Sequence, residues 1–139
     1  MKLDARSLSR LEGVHDDLVE VVKLAAELTD QPFIVTEGLR SIERQKKLVA
    51  AGASVTLRSR HLTGHAVDLA AFVDLDGSGD YTKADNIRWD WPLYGKIASF
   101  MKTAAFQLDI PIEWGGDWTT FKDGPHFQLP WKEYPTVGG

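Results

Sequence analysis

The residues best able to do chemistry in this chain lie in Ser59-Arg60-His61-Leu62-Thr63-Gly64-His65-Ala66-Val67-Asp68. His61 stands near the start, and Asp68 falls inside the apolar run Ala66-Val67-Asp68-Leu69-Ala70-Ala71-Phe72-Val73. A carboxylate planted in a buried strand is costly unless something pairs with it. A metal ion is one such partner if another ligand arrives from elsewhere, and His126, at the start of a second strand-like run, is the candidate. Two imidazoles and a carboxylate, with a fourth position left to water, is the composition of a catalytic zinc site. A plainer reading fits the same residue types. His61 and His126 would be surface or satisfied core histidines and Asp68 a turn cap; with four histidines in 139 residues, both readings stay open on composition alone. His65 follows His61 by four positions, the spacing of two ligands on one helix face. Gly64 lies between them and no Glu accompanies them, so His65 is read as a neighbour and not a ligand.

A second group of oxygens lies just beyond. In Asp74-Leu75-Asp76-Gly77-Ser78-Gly79-Asp80-Tyr81-Thr82-Lys83-Ala84-Asp85 the candidate calcium ligands are Asp74, Asp76, Ser78, Asp80, Thr82 and Asp85, around a central Gly79. The pattern follows a helix-flanked calcium loop, with Ser at the fifth place, the shorter Asp at the twelfth, and an entering strand in place of a helix as departures. A solvated turn between strand and helix is the alternative.

These groups need elements to hold them. Leu8, Leu11, Val14, Leu18, Val21, Val22, Ala25 and Leu28 recur at helical spacing. Gly13 divides them into a short helical turn and a helix from about Asp16 to Leu28. Phe33-Ile34-Val35-Thr36 reads as a strand, ended by Gly38. Ser41 caps a helix to about Ala51. A polar loop with Arg58 and Arg60 leads to a strand from about His65 to Val73. Pro92 opens a helix to Leu108. Ile110 to Trp114 and His126 to Leu129 read as short strands, Gly115-Gly116-Asp117-Trp118 as a turn, and the tail from about residue 132 as frayed. Helices and short strands without regular alternation predict an α+β class, a small antiparallel sheet with packed helices.

Composition narrows the function classes. A length of 139 residues suits one domain spanning the chain. The formal net charge of −4 gives no general affinity for nucleic acid or an anionic membrane. The chain has no cysteine, so a metal must be held by His, Asp or Glu. No apolar core follows Met1-Lys2-Leu3-Asp4-Ala5-Arg6 and no run approaches a membrane span. The expectation is a protein made in the cytoplasm, without membrane insertion, and monomeric.

Ser59-x-His61-x-x-Gly64-x-Ala66-x-Asp68, followed far downstream by Asp123-Gly124-Pro125-His126, resembles the zinc peptidase family of the VanY- and VanX-like D,D-peptidases and the L-alanyl-D-glutamate peptidases of phage endolysins. The resemblance runs from about Leu8 to Tyr134. It implies the hedgehog/D,D-peptidase-like fold, with zinc on His61, Asp68 and His126. It places the general base at Asp123, three residues before the last ligand, as in the L-alanyl-D-glutamate branch; Glu113 and Asp117 are fallback bases. The D,D-peptidase branch favours a Glu and a Trp-His pair, which this chain lacks. Arg40, in Gly38-Leu39-Arg40-Ser41, matches the family's Arg, expected to hold the substrate carbonyl and its developing charge. Ser59 is expected to order the loop or contact substrate. Trp114 and Trp118 are candidates to line a peptide groove, while core packing is expected of most other aromatics. The function implied is cleavage of the L-Ala–D-Glu bond in the peptidoglycan stem peptide by an endolysin, held in the host cytoplasm until released to the cell wall. The alternatives are a D-Ala-D-Ala carboxypeptidase or dipeptidase of the same fold, and a zinc-containing cell-wall binding module without catalysis, as hedgehog domains resemble the family without peptidase activity.

Overall fold

The structure is a computed structural model and describes residues 1–54 and 59–135. Arg58 of the polar loop and the last four residues of the tail lie outside the described residues.

The apolar stripes form the helices expected of them. They are α1 (Ala5–Arg10), α2 (Asp16–Leu28), α3 (Ile42–Ala50) and α4 (Trp91–Leu108). Gly13 separates the first two with φ of 81°. Asp16 and Asp17 sit in the first turn of α2, where negative charge meets the positive end of the helix dipole. Ser41 caps α3 by accepting from the Arg44 amide. Asp109, at φ of 56°, ends α4.

The strands are β1 (Phe33–Glu37), β2 (Ala66–Phe72), β3 (Ile87–Arg88), β4 (Glu113–Trp114) and β5 (His126–Gln128). All pairings are antiparallel, in the order β1-β2-β5-β4, with β3 also on β2. β2 is therefore the central strand. β1 runs along one of its edges, while β5 takes Ala66–Asp68 and β3 takes Ala71 and Phe72 on the other. The strand expected over Ile110–Trp114 is only two residues long. Pro111 has no N–H to donate, and the Ile110 amide closes the end of α4 on the Ala105 carbonyl.

Alternation assigns the two faces of the sheet. Phe33, Val35, Val67, Leu69, Ala71 and Phe127 bury one face against Leu18, Val21, Val22 and Ala25 of α2 and Ile97, Met101 and Ala104 of α4. The α+β class with an antiparallel sheet is the observed architecture. α1 lies beside β1: Ser7 Oγ accepts from the Val35 amide (2.9 Å), and Arg10 Nη1 donates to the Val35 carbonyl (2.9 Å). These bonds satisfy a strand edge that would otherwise be open to a foreign strand. The tail is tied down through Tyr134, whose hydroxyl donates to Asp17 Oδ2 (2.6 Å) and whose carbonyl accepts from buried Arg60 (2.6 Å). Tyr134, in the stretch expected to fray, is held by these bonds. No helix among the described residues is long and apolar enough to cross a membrane.

Gly38, just after β1, packs against α1 so closely that a Cβ there would stand 2.1 Å from the Arg10 carbonyl oxygen and 2.8 Å from a Val14 methyl. Gly38→Ala must push α1 away and is expected to cost roughly 1–3 kcal/mol, as overpacking does. Chemical denaturation would show this as a lowered midpoint, and an unchanged midpoint would refute the close approach.

Candidate active site

Register brings the chemistry together. Asp68 of β2 is directly opposite His126 of β5 on one side and Glu37 of β1 on the other. A bulge between Val35 and Glu37 leaves Thr36 unpaired and turns Glu37 to the face of Asp68 while Val35 stays in the core. His61 arrives from a single turn of 3-10 helix, Arg60–Thr63, capped by Ser59, whose Oγ accepts from the His61 amide (3.2 Å). Asp68 Oδ1 lies 3.1 Å from His61 Nε2 and 3.2 Å from His126 Nδ1. One ligand atom from each of these three residues falls within 4.8 Å of the others, the one group of this kind among the described residues.

The ring nitrogens facing away are each committed to an acceptor. His61 Nδ1 donates to the Gly38 carbonyl (2.8 Å), which directs the Nε2 lone pair at Asp68. His126 Nε2 donates to Gln128 Oε1 (2.8 Å), which does the same for Nδ1. The Gln128 amide is held in that sense because its Nε2 donates to Glu113 Oε2 (3.2 Å), and a carboxylate only accepts. This outer support is what a metal-binding histidine requires. Two buried imidazoles and a half-buried carboxylate, all directed at one point, fit a divalent first-row metal ion and match the donor set of catalytic zinc.

Burial alone would raise the Asp68 carboxyl, but the facing nitrogens of His126 and His61, whenever they too carry a proton, donate to it and hold it well below its ordinary range. Burial likewise opposes charge on His126, and the hydrogen bond and charge of Asp68 reverse that and raise it. Arg40 is nearly buried. Its Nε and Nη2 grip both oxygens of Glu37 (2.7 Å each), Nη1 donates to Gln45 Oε1 (2.7 Å), and Nη2 lies 3.7 Å from Asp68 Oδ2. Burial opposes the charge of Glu37, and the hydrogen bond and charge of Arg40 outweigh it and lower its carboxyl.

These residues floor a cleft of about 510 Å³ whose walls include Arg40, Ser59, Trp118, Phe121, Asp123 and Trp131. Asp123 is placed by a close backbone approach. Its amide donates to the Gly115 carbonyl (3.0 Å), and a Cβ on Gly115 would stand 2.3 Å from the Asp123 carbonyl oxygen. Burial, and then the negative charge of Asp68, push the Asp123 carboxyl above its ordinary range. Trp118 stands 5.1 Å from the His126 ring, centroid to centroid.

Other expected site residues lie apart from the cleft. Trp114 stacks on Phe127 and Trp91 and donates to the Gly124 carbonyl (2.7 Å), so it backs the site as packing and does not line it. Asp117 is exposed and paired with Lys102 (2.7 Å), and Glu113 stands behind His126 through Gln128. His65 bonds Thr63 Oγ1 (2.7 Å) and neighbours His15 and Tyr134, outside the ligand group. The acidic loop turns its oxygens onto itself. Asp74 accepts from the Gly79 amide, Asp76 from Ser78 and Lys83, and Asp80 from Thr82. Lys83 already supplies a cation to Asp76 (2.6 Å), and Asp74, Asp76, Asp80 and Asp85 form no metal-holding group among the described residues, so the geometry lends calcium no support.

Sequence reasoning missed Glu37, Gly38, Gln128 and Arg60. Gln128 had a signal, since two residues beyond His126 in a strand it must share that face. Glu37 had one in its spacing of three from Arg40.

A metal ion binds only deprotonated imidazole, and Asp68 makes His126 hold its proton to higher pH. Apparent affinity for a divalent ion is therefore expected to fall as the pH drops, beginning above the ordinary imidazole range. Gln128→Leu should weaken it a further ~10–100-fold. Metal titration followed by calorimetry checks both, and a pH-independent affinity would contradict the ligand assignment.

The phage L-alanyl-D-glutamate peptidase family model matches residues 1–129. The L-alanyl-D-glutamate peptidase of Listeria phage A118 is 30% identical over 95% of this chain; the chain spans only 43% of that relative's length. The peptidoglycan L-alanyl-D-glutamate endopeptidase CwlK of Bacillus subtilis is 32% identical over 87% of this chain and 74% of its own. Among solved structures, the Serratia marcescens L-Ala D-Glu endopeptidase ChiX is 48% identical and superposes with a TM-score of 0.84, covering 98% of this chain and 95% of ChiX. The vancomycin-resistance D,D-dipeptidase VanXYg, 22% identical over 84% of this chain and 50% of its own, shares the fold with a TM-score of 0.51. With the sheet, the His-Asp-His cluster and the cleft in place, these matches make the chain a member of the phage L-alanyl-D-glutamate peptidase family.

Proposed function

We propose that this protein is a zinc-dependent peptidoglycan peptidase that hydrolyses the L-Ala–D-Glu bond of the stem peptide, serving as a phage endolysin released from the host cytoplasm to the cell wall. The observation that carries the reading is the convergence of His61, Asp68 and His126 within 4.8 Å at the floor of a cleft that also holds Asp123. The names of the similar proteins from Listeria phage, Bacillus subtilis and Serratia marcescens support the bond.

His61 Nε2, Asp68 and His126 Nδ1 would hold the zinc. Bound there, it supplies a Lewis acid for the scissile carbonyl and an activated water at neutral pH. The remaining work falls to the chain. Asp123 accepts the proton of the attacking water on its carboxylate and passes it to the leaving amine nitrogen, a role for which a raised carboxyl is suited. Arg40, fixed by Glu37 and Gln45, holds Asp68 in place and keeps positive charge beside the carbonyl oxygen as negative charge develops there. Ser59 orders the His61 turn. No acyl-enzyme is required, since water attacks directly.

Asp123→Ala is expected to retain fold and bound zinc while losing ~10²–10⁴-fold in turnover, the usual worth of a positioned general base. Arg40→Ala should lose about 10²-fold or more. A turnover assay beside metal analysis checks both, and near-normal turnover in Asp123→Ala would remove it from the mechanism. Mass spectrometry of peptidoglycan digests identifies the bond. New N-terminal D-Glu that disappears with a chelator is the expected product. Released D-Ala would indicate a D,D-peptidase, and no product a binding module.

A further inference from the structure

Two non-glycine residues among those described have left-handed backbone, Asp109 at φ of 56° and Phe121 at φ of 51°. Asp109 ends α4, a place where that conformation is routine. Phe121 ends no helix. A bulky side chain in this region is a strained outlier, and such strain collects at functional sites when the surroundings impose it. Here they do. The loop containing Phe121 is pinned to the Gly115-Gly116 turn on both sides: the Trp118 and Asp123 amides donate to the Gly115 carbonyl (3.3 and 3.0 Å), and Lys122 Nζ to the Gly116 carbonyl (3.3 Å). Closing this loop places Asp123 in the cleft. Glycine would close it without strain, yet the chain carries a phenylalanine that is 71% exposed. The ring is not core, and it stands on the rim of the cleft that holds His61, Asp68 and His126.

We propose that Phe121 is a substrate-positioning residue. Its ring, with Trp118 on the same cleft, covers the aliphatic carbons of the stem peptide away from the reacting atoms and holds the peptide in the cleft. This rests on the peptidase reading above. Burying an exposed aromatic face against substrate returns the free energy that its exposure and backbone strain forgo in the free protein. The ring acts by binding and exchanges no proton, so its loss falls on KM and leaves kcat nearly unchanged.

Phe121→Gly and Phe121→Leu test this on the zinc-loaded full chain with a soluble stem peptide containing the L-Ala–D-Glu bond. Phe121→Gly is expected to melt no lower than the wild-type protein, since glycine relieves the strain, to keep its zinc, and to raise KM roughly tenfold with kcat within about twofold. Phe121→Leu should recover part of the KM without relieving the strain. Affinity of the same peptide for the metal-depleted proteins, which do not cleave, separates this proposal from the peptidase reading. If the wild-type protein cleaves nothing, a peptide affinity that drops in Phe121→Gly still upholds the platform. Equal KM and equal affinity in wild type and Phe121→Gly, or no peptide binding by either, overturns it. So does a lowered melting temperature in Phe121→Gly restored by Phe121→Leu, which would make the ring structural.

Discussion

Three electron-rich atoms, His61 Nε2, Asp68 Oδ1 and His126 Nδ1, converge on one point, and their lone pairs repel unless a proton or a metal ion lies among them. The rest of the site is arranged around that constraint. Each imidazole is turned to this point by an acceptor on its far side, the Gly38 carbonyl for His61 and Gln128 for His126. The second oxygen of Asp68 faces the Arg40 guanidinium. Were these supports absent, the rings could rotate and the carboxylate could turn to solvent, and the cluster would disperse. The cost of holding it is borne by the sheet, whose apolar face is buried against α2 and α4 and leaves little freedom to its opposite face.

Sheet register makes the convergence possible. Glu37, Asp68 and His126 form one row across β1, β2 and β5, and Glu113 and Gln128 form the next pair out on β4 and β5. A slip of one residue would exchange the site face for the core face, which the buried Val67, Leu69 and Phe127 forbid. The bulge at Thr36 lets β1 satisfy both demands, keeping Val35 inside and presenting Glu37 beside Asp68. The turn after β1 then serves three purposes. Its Glu37 clamps Arg40, its Gly38 carbonyl orients His61, and the Arg40 amide bonds the His61 carbonyl (2.9 Å).

Carboxylates outnumber guanidiniums on the cleft. Glu37, Asp68 and Asp123 are three acids in a confined space, and Arg40 is clamped by the first of them. Asp68 stays ionised because imidazoles surround it, whereas Asp123, with burial and the field of Asp68 against it, holds a proton more readily. Two carboxylates in one cleft are thus pushed apart in their readiness to hold a proton. Arg60, by contrast, is buried among the Leu129, Pro130 and Tyr134 carbonyls and over the Trp131 ring, where it binds the last segment of the described chain to the His61 turn.

The sequence by itself determined the elements and the ligand candidates. Helical stripes from Leu18 to Ala25 and from Tyr94 to Leu108, the cap at Ser41, and the apolar run around Asp68 follow from local preference and period, which do not depend on what packs outside. The match of His61, Asp68 and His126 to a family pattern was equally legible, since it is written in spacing. The resemblance singled out Asp123 ahead of Asp117 and Glu113, but their surroundings were not legible. The close approach of Gly115 to Asp123, the Lys102 partner of Asp117 and the Gln128 partner of Glu113 are set by the fold. Trp114 and Trp118 were indistinguishable until the sheet buried one against Phe127 and left the other on the cleft wall. The Glu37 clamp, the Gly38 carbonyl and the left-handed Phe121 depend on a bulge, a helix pressed on a glycine and a loop pinned at both ends. These belong to tertiary structure because each is set by contacts between residues far apart in the chain, where no local period carries the information.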